Sequence, residues 1–316
     1  MRTHIANVSL GLLSVVLAFA ALRPVGAQTQ GFLGRWNMTG TGADANRVYW
    51  LEVTEQSGQL KGMFLNRSSS PLALESVKVE NGTLIFQLPP GRDNKPGLEF
   101  RAKLEGGKLI GTVPDRDRTI NWVGVRPPKW PASDANGKHA YGTPVALFDG
   151  KSLDAFVPQT GDKIQNWAVA DGIATNTPPS SNLVSKEKFK DFRIQAEYKL
   201  GEGSNSGIYL RGRYELQVLD DFGKPPDSHS HMAIYGWTAP RLNASKPTGE
   251  WQTMEAVLVG NRVTVTLNGQ KVHDNAEIQA ITGGALDSDE AAPGPIMLQG
   301  DHAKVWFRKV TVTPIK

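Results

Sequence analysis

The short run "RYELQVLDDFG", residues 213–223, places three side chains close together that could take part in chemistry. Glu215 and Gln217 are two residues apart, so in a β-strand their side chains share one face. Asp220 joins that face only if a β-bulge directly before it shifts the alternation by one residue. With the bulge, the strand presents a carboxyl, an amide and a second carboxyl in a row, and carboxyls can act as general acids or bases. Without it, Asp220 points into the core.

The strand that carries these residues is predicted to alternate strictly over residues 207–218, with one apolar face toward the core. Its other face is rich in groups that make directional hydrogen bonds: Tyr209, Arg211, Arg213, Glu215 and Gln217. Guanidinium, phenol, carboxyl and amide groups can bind the hydroxyl groups of a sugar. A plain solvent-facing strand is the alternative, although such a face more often carries Lys, Thr and Ser. We predict a binding face.

Histidines supply further candidates. His302, in "LQGDHAK", is the strongest of them, because Asp301 can orient its ring and Gln299 lies nearby. His229 and His231 are two residues apart in "DSHSH", so in a strand they would share a face and could bind one divalent cation. The alternative is a pair of exposed loop histidines. The sequence requires no cofactor and leaves a divalent cation open.

Two aromatic residues follow these histidines in "IYGWTAP". Tyr235 and Trp237 could stack on the C–H face of a sugar ring, as aromatic side chains do. For Trp237, packing in the core is an equally good interpretation.

Residues 30–127 consist of short segments of alternating polarity, separated by turn signals at intervals of roughly ten to twelve residues. The predicted strands are 48–55, 60–66, 74–80, 83–88, 98–105, 108–113 and 119–125. This spacing indicates an antiparallel meander or a small up-and-down barrel. The region contains no His, and we expect an accessory or ligand-contacting role for it. Residues 128–144, rich in Pro and Gly, are predicted to be a linker.

Residues 145–316 are predicted to form a second all-β domain. The segment "DFRIQAEYKL", residues 191–200, alternates strictly between apolar and polar residues, as a half-buried strand does. The pair Asn268–Gly269 between two apolar segments is a strong signal for a hairpin turn. Long strands with short turns and no helical interludes favour a two-sheet sandwich.

The first 27 residues are typical of a secretory signal peptide, with a basic start at Arg2, an apolar run over 10–22 and small residues at 25–27. The apolar run is shorter than the roughly 20 residues that a spanning helix needs. We therefore predict no membrane span, and we expect an exported protein, periplasmic or secreted.

Composition excludes several classes of function. The net charge of +4 falls to +2 if the signal peptide is removed, because Arg2 and Arg23 leave and no acid does. No dense Lys and Arg stripe is present, which speaks against nucleic acid as a partner. The chain has no Cys, so disulfides, thiol catalysis and thiolate metal sites are excluded.

Several ordered motifs of the second domain resemble a known family. They are "LFDGKSLDAF", "NSGIYLRGRYELQVLDDFG", "HMAIYGWTAPRLN" and "GPIMLQGDHAKVWFRKVTV". Residues 145–316 are similar to the 3-keto-disaccharide hydrolase family, formerly domain of unknown function 1080. The resemblance does not extend to residues 30–130. It implies a concanavalin A-like jelly-roll sandwich and a carbohydrate substrate.

The resemblance also implies a reaction on 3-keto-glycosides. A partner enzyme, a sugar 3-dehydrogenase, first oxidises the sugar at C3. A base then removes the acidified C2 proton, the C1 substituent leaves, and water adds afterwards. In this scheme we expect Glu215 to be the base, Arg211 and Arg213 to stabilise the enolate, and a histidine to be the acid.

Two other functions are compatible with the same sandwich. The run Glu215-x-Gln217-x-x-Asp220 is similar to the Glu-x-Asp-x-x-Glu motif of laminarinase-type glucanases, but it has an amide in the middle. Double-displacement hydrolysis needs two well-placed carboxyls, so the amide argues against a direct glucanase. A non-catalytic, lectin-like module is the remaining alternative. Binding alone needs no base, so Glu215 beside Arg and His favours an enzyme.

Overall fold

The computed structural model describes residues 29–67, 69–91 and 94–316, and the predicted signal peptide lies outside these residues. Strands dominate the described chain, with two single-turn 3-10 helices at Gln30–Phe32 and Gly42–Asp44. The strands of the first domain are β1 Gly34–Gly40, β2 Val48–Gln56, β3 Gln59–Leu65, β4 Leu72–Ala73, β5 Ser76–Glu80, β6 Thr83–Gln87, β7 Glu99–Glu105, β8 Lys108–Asp115 and β9 Arg118–Val125. The strands of the second domain are β10 Val145–Phe148, β11 Phe156–Pro158, β12 Trp167–Ala170, β13 Ile173–Asn176, β14 Leu183–Phe189, β15 Phe192–Leu200, β16 Asn205–Leu210, β17 Tyr214–Leu219, β18 Trp251–Val259, β19 Arg262–Leu267, β20 Gln270–Glu277, β21 Gly294–Leu298 and β22 Val305–Pro314.

The first domain is one antiparallel, barrel-like sheet in the order β4-β3-β2-β1-β9-β8-β7-β6-β5. Each strand pairs with the next in sequence except β4 and β5, which are the two edges of the sheet, and β1 also pairs with β9, which curls the meander around a core. That core is aromatic, and Phe86 stacks on Phe100 with 4.8 Å between ring centroids. The seven predicted segments are all strands. β1 and the two-residue β4 add to them.

The second domain is a sandwich of two antiparallel sheets. One has the order β12-β13-β22-β15-β18-β19-β20, with β10 also paired to β22, and the other has the order β11-β14-β21-β16-β17. The apolar sides of both sheets meet in one buried cluster. In β15 the alternation is complete, with every second residue from Phe192 to Leu200 buried. The all-β class, the jelly-roll sandwich and the preceding meander are confirmed.

The β16–β17 hairpin corrects the prediction of one continuous strand over 207–218. The chain turns at Arg211–Gly212–Arg213, where Arg211 has φ +52° and Gly212 has φ +65°. A three-residue turn preserves the alternation, so Tyr209 pairs directly with Glu215 on the face turned away from the core. The polar face therefore continues from β16 to β17. Arg211 and Arg213 lie in the turn and not on that face.

The bulge that would bring Asp220 onto this face is absent. The β16–β17 register runs without a shift to Asn205 opposite Leu219, where β17 ends. The Asp220 N–H then donates to the carbonyl of Ser204 at 2.9 Å.

The two domains share a buried contact. Val48, Trp50 and Leu65 of the first domain belong to the apolar cluster of the second. Trp50 meets the edge of Trp237 at 5.0 Å between ring centroids and an interplanar angle of 85°. The domains are also joined by a buried hydrogen bond, which the Asn37 amide donates to a carboxyl oxygen of Glu290 at 2.8 Å.

Within the described ranges, no helix has the length and apolar character to cross a membrane.

Candidate functional site

A polar cleft of about 480 Å³ lies over the outer face of the five-stranded sheet and reaches the first domain. Loops on either side form its walls. Six of the eleven residues predicted for a site line it: Tyr209, Glu215, Gln217, Tyr235, Gln299 and His302. This is the volume of a small-molecule site.

Glu215 is the buried carboxyl of this cleft and is only 4% exposed. Its backbone N–H donates to the Thr282 hydroxyl at 2.9 Å. Gly207, on the neighbouring strand, leaves room for the carboxyl, since a Cβ there would collide with Glu215 Oε1. Burial in a low-dielectric environment penalises the charged form and raises the pKa of Glu215 to about 8. The carboxyl is therefore mostly protonated at neutral pH.

The Tyr209 hydroxyl contacts the same carboxyl, and a hydrogen bond donated by it lowers the pKa of Glu215 against the larger effect of burial. It lies 2.8 Å from Glu215 Oε2 and 3.0 Å from the carbonyl oxygen of Gly283. A hydroxyl has one proton and can donate to only one of them. When Glu215 is charged, Tyr209 donates to its Oε2. When Glu215 is protonated, its carboxyl can donate to the Tyr209 oxygen while Tyr209 donates to the Gly283 carbonyl.

Asp301 and His302 form a second, more exposed pair in the same cleft. The imidazole Nδ1 lies 2.7 Å from Asp301 Oδ1. That hydrogen bond raises the pKa of His302 and lowers the pKa of Asp301. An Nδ1–H held by a carboxylate leaves Nε2 as the basic nitrogen. In the described chain, Nε2 has no protein partner.

The acid and the imidazole influence each other. The charge of His302 lowers the pKa of Glu215, against the larger effect of burial, and the charge of Glu215 raises the pKa of His302. A charged Glu215 therefore favours the imidazolium form of His302, and the imidazolium favours the carboxylate form of Glu215. The cleft can therefore supply an acid and a base at once.

Two amides complete the polar floor. The backbone N–H of Gln299 donates to the Gly207 carbonyl at 2.9 Å, while its buried side-chain Oε1 has no partner among the described residues. Gln217 lies between β16 and the segment 232–235, where its backbone bonds to Met232 and Ala233. The same segment carries Tyr235 into the cleft.

Arg211 and Arg213 are outside the cleft, which corrects their predicted place on its face. Arg211 is fully buried, donates to Asp191 at 2.7 Å and lies over the Trp130 ring. Arg213 donates to Asp287 at 2.5 Å. The tight turn between β16 and β17 directs both guanidiniums toward neighbouring loops. They hold the hairpin end in place.

Asp220 is also outside the cleft. Its carboxyl accepts hydrogen bonds from the Gly203 N–H at 2.9 Å and the Thr248 hydroxyl at 2.7 Å. It ties together two loops at the end of β17, because no bulge turns it toward Glu215.

His229 and His231 do not converge on a shared site. His231 is buried, with Nε2 at 2.6 Å from the Tyr198 hydroxyl and Nδ1 at 2.7 Å from the Leu219 carbonyl. His229 is exposed and lies 2.6 Å from Ser70 of the first domain. No group of three or more His, Asp or Glu side chains is placed to hold a metal ion within the part of the chain that the structure describes.

Trp237 packs between the domains. Its indole N–H donates to the Ile281 carbonyl at 3.0 Å, and its ring meets Trp50. Trp237 is therefore a packing residue in this structure. Tyr235, two residues earlier, lines the cleft.

Sequence reasoning missed several residues that shape the cleft. Asn182 Oδ1 accepts from the backbone N–H groups of Gly300 and Asp301 at 2.7 and 3.2 Å, and so fixes the turn that carries His302. Arg67 and Asn46 of the first domain line the cleft as well. All of them come from loops distant in sequence, where no periodicity marks a shared face.

The second domain is similar to known proteins. A family model described as the 3-keto-alpha-glucoside-1,2-lyase-like domain matches residues 143–313. A 3-keto-disaccharide hydrolase of Bacteroides thetaiotaomicron is 21% identical over 164 residues, and the match covers 40% of this chain and 57% of that relative. The chain thus spans little more than half the length of this curated relative.

Two solved structures are also similar to part of this chain. Two proteins of Parabacteroides distasonis, described as candidate glycosyl hydrolases, are 28% and 21% identical. The first comparison covers 59% of this chain and 91% of the other at a TM-score of 0.48. The second covers 55% and 94% at a TM-score of 0.48. Because the family model covers more than half of the chain, this protein belongs to the 3-keto-alpha-glucoside-1,2-lyase-like domain family.

Proposed function

We propose that this protein cleaves 3-keto-glycosides by removal of the proton on C2 and elimination of the substituent on C1. The observation that carries the proposal is a single cleft that holds a buried carboxyl with a raised pKa, Glu215, and a carboxylate-paired imidazole, His302. A ketone-assisted elimination needs one acid and one base on the same substrate. Membership of the family supports the choice of substrate class.

The raised pKa of Glu215 and the orientation of the His302 ring suggest the roles. Glu215 is mostly protonated at pH 7, because its pKa is about 8, so it can donate a proton to the leaving oxygen. His302, with Nδ1 held by Asp301, can accept the C2 proton at Nε2. These roles are the reverse of those expected from the sequence, where Glu215 is the base and a histidine is the acid.

Each step balances without an outside oxidant or reductant. His302 removes the C2 proton, and the electron pair is delocalised onto the C3 oxygen as an enolate. The C1–O bond then breaks, a C1=C2 double bond forms, and Glu215 protonates the departing oxygen. Water adds a hydroxyl to C1 and a proton to C2, which completes a net hydrolysis. Gln217 and Gln299, which line the cleft, are the candidate donors to the enolate oxygen.

The experiment compares 3-keto-trehalose with trehalose, using the purified protein and detection of released sugar. We expect turnover of the keto sugar alone, because only the ketone acidifies the C2 proton. Turnover of both sugars would instead indicate a direct glycosidase. Turnover of neither would indicate a non-catalytic binding module.

Direct hydrolysis is the second candidate, and one observation favours it. The cleft contains two carboxyls whose pKa values move in opposite directions, Glu215 upward by burial and Asp301 downward by its hydrogen bond with His302. Such a pair resembles the acid and the nucleophile of a retaining glycosidase. Asp301 is already paired with His302, which makes this the weaker candidate.

The pH dependence of the reaction should report on the imidazole. Asp301 raises the pKa of His302, and a base works only when it is neutral, so activity falls as the pH drops through that pKa. Asp301→Asn removes the charge and should lower the pKa of His302, which moves the acid limb of the kcat/KM profile to lower pH. Asp274→Asn, at an exposed ion pair with Lys271, is the control. An acid limb that stays in place in Asp301→Asn would contradict the role of His302.

Two proposals concern the setting of the reaction. The ketone at C3 must come from oxidation of a ring hydroxyl, so a sugar 3-dehydrogenase is the class of enzyme that supplies the substrate. The predicted signal peptide supports export to the periplasm or the medium, and fractionation of cells that produce the tagged chain would test it.

A further inference from the structure

The first domain contributes to the cleft, although the family match begins only at residue 143. Asn46 and Arg67 belong to the lining, together with the residues around Glu215. Both side chains are exposed, whereas Glu215 is buried at the floor. The cleft therefore has a buried end that belongs to the sandwich and an open rim that belongs partly to the first domain.

The described part of the loop between β3 and β4, residues 66–67 and 69–71, makes three contacts at this rim. The carbonyl of Arg67 accepts a hydrogen bond from the Gly284 N–H at 2.8 Å. Ser70 lies 2.6 Å from His229 Nε2. Gly236 packs so closely that a Cβ there would lie 2.7 Å from Pro71 Cδ. The loop is thus docked on the second domain beside the cleft.

The first of these contacts connects the loop to the reacting groups. Gly284, which donates to Arg67, follows Gly283, whose carbonyl oxygen lies 3.0 Å from the Tyr209 hydroxyl. Tyr209 in turn lies 2.8 Å from Glu215. The backbone of Arg67 is therefore linked to the acid through these hydrogen bonds and the Gly283–Gly284 peptide.

The Arg67 guanidinium is available to a ligand. Among the described residues it makes no ion pair and no side-chain hydrogen bond, and its charge lies in a cleft that also holds acidic groups. A guanidinium presents five N–H donors in a fixed fork, which suits oxygen-rich ligands. The reacting sugar ring must reach the buried Glu215, so what remains at the rim is the substituent carried on C1.

We propose that the first domain forms the binding site for the leaving group, and that Arg67 selects glycosides whose C1 substituent is a second sugar ring. The proposal rests on the proposed function for the orientation of the substrate. It makes the chain specific for substrates of two rings, through a residue outside the family domain.

The test measures binding, so that it does not depend on turnover. Calorimetry in a Glu215→Gln background compares 3-keto-trehalose, which has two rings, with methyl 3-keto-α-glucoside, which has one. We expect Arg67→Ala to weaken binding of the two-ring probe about tenfold, as for loss of a charged hydrogen bond, and of the one-ring probe less than about twofold. Arg101→Ala, an exposed arginine on β7 of the same domain, should change neither.

Equal weakening of both probes, no weakening of either, or failure of the two-ring probe to bind would each overturn the proposal. If the binding difference holds but the wild-type chain turns over neither probe, the site for the second ring stands and the proposed reaction fails. Matching unfolding midpoints for the Arg67 and Arg101 variants exclude misfolding as the cause.

Discussion

Glu215→Gln should lose activity on a 3-keto-glycoside with a sugar leaving group, by about 10²- to 10⁴-fold in kcat, and should keep most of its activity on the matching 4-nitrophenyl glycoside. The amide keeps the shape of the side chain but cannot donate an acidic proton. A sugar alkoxide needs that proton to depart, whereas nitrophenolate departs without it. The two kcat ratios, measured with the same purified variant, check the prediction.

The comparison also separates the two possible assignments of acid and base. A pH profile cannot separate the two assignments. The active form carries one proton on Glu215 or His302, and the profile has the same shape whichever of the two holds it. If Glu215→Gln lost activity on both substrates equally, Glu215 would be the base, as expected from the sequence. Glu255→Gln, on the opposite sheet of the sandwich, is the matched control and should change neither ratio.

Trp50→Ala should destabilise the protein by about 3–5 kcal/mol, as large-to-small changes of buried aromatic residues do. Trp50 is 1% exposed and lies in a strand of the first domain, yet it packs in the apolar cluster of the second and against Trp237. Its loss leaves a cavity at the contact between domains. Urea denaturation, followed by fluorescence, measures the change in the free energy of unfolding.

Trp251→Ala is the matched control for that measurement. Trp251 is half-buried on the outer face of the sandwich, with Lys199 and Arg308 over its ring. Loss of those contacts should cost about 1 kcal/mol or less. If both variants lost the same free energy, the contact between the domains would have no special role in stability.

Local alternation was enough to predict part of the site. Tyr209, Glu215 and Gln217 share a face because the turn between β16 and β17 has three residues, which keeps the phase of the alternation. The same turn removes Arg211 and Arg213 from that face. A positive φ at a non-glycine residue such as Arg211 is uncommon, so strand periodicity alone could not locate the turn.

The rest of the site depends on contacts between distant parts of the chain. His302 was identified from its neighbour Asp301, but Asn182, which fixes their turn, is more than a hundred residues away. Arg67 lies in another domain. Loops of this kind are placed by the packing of whole sheets, which no short window of sequence describes. The strands themselves could be predicted, because residues along many of them alternate between the apolar core of their domain and the opposite face.

The assignment of Glu215 and His302 rests on proton removal at C2, and one measurement tests that step directly. The substrate is 3-keto-trehalose carrying deuterium at C2 of the keto ring, and mass spectrometry of the sugar product reports the label, with a sample without enzyme to correct for spontaneous exchange. We expect the product to lose deuterium to water as cleavage proceeds. A product that keeps all of its deuterium would contradict elimination and leave direct hydrolysis at C1 as the reaction.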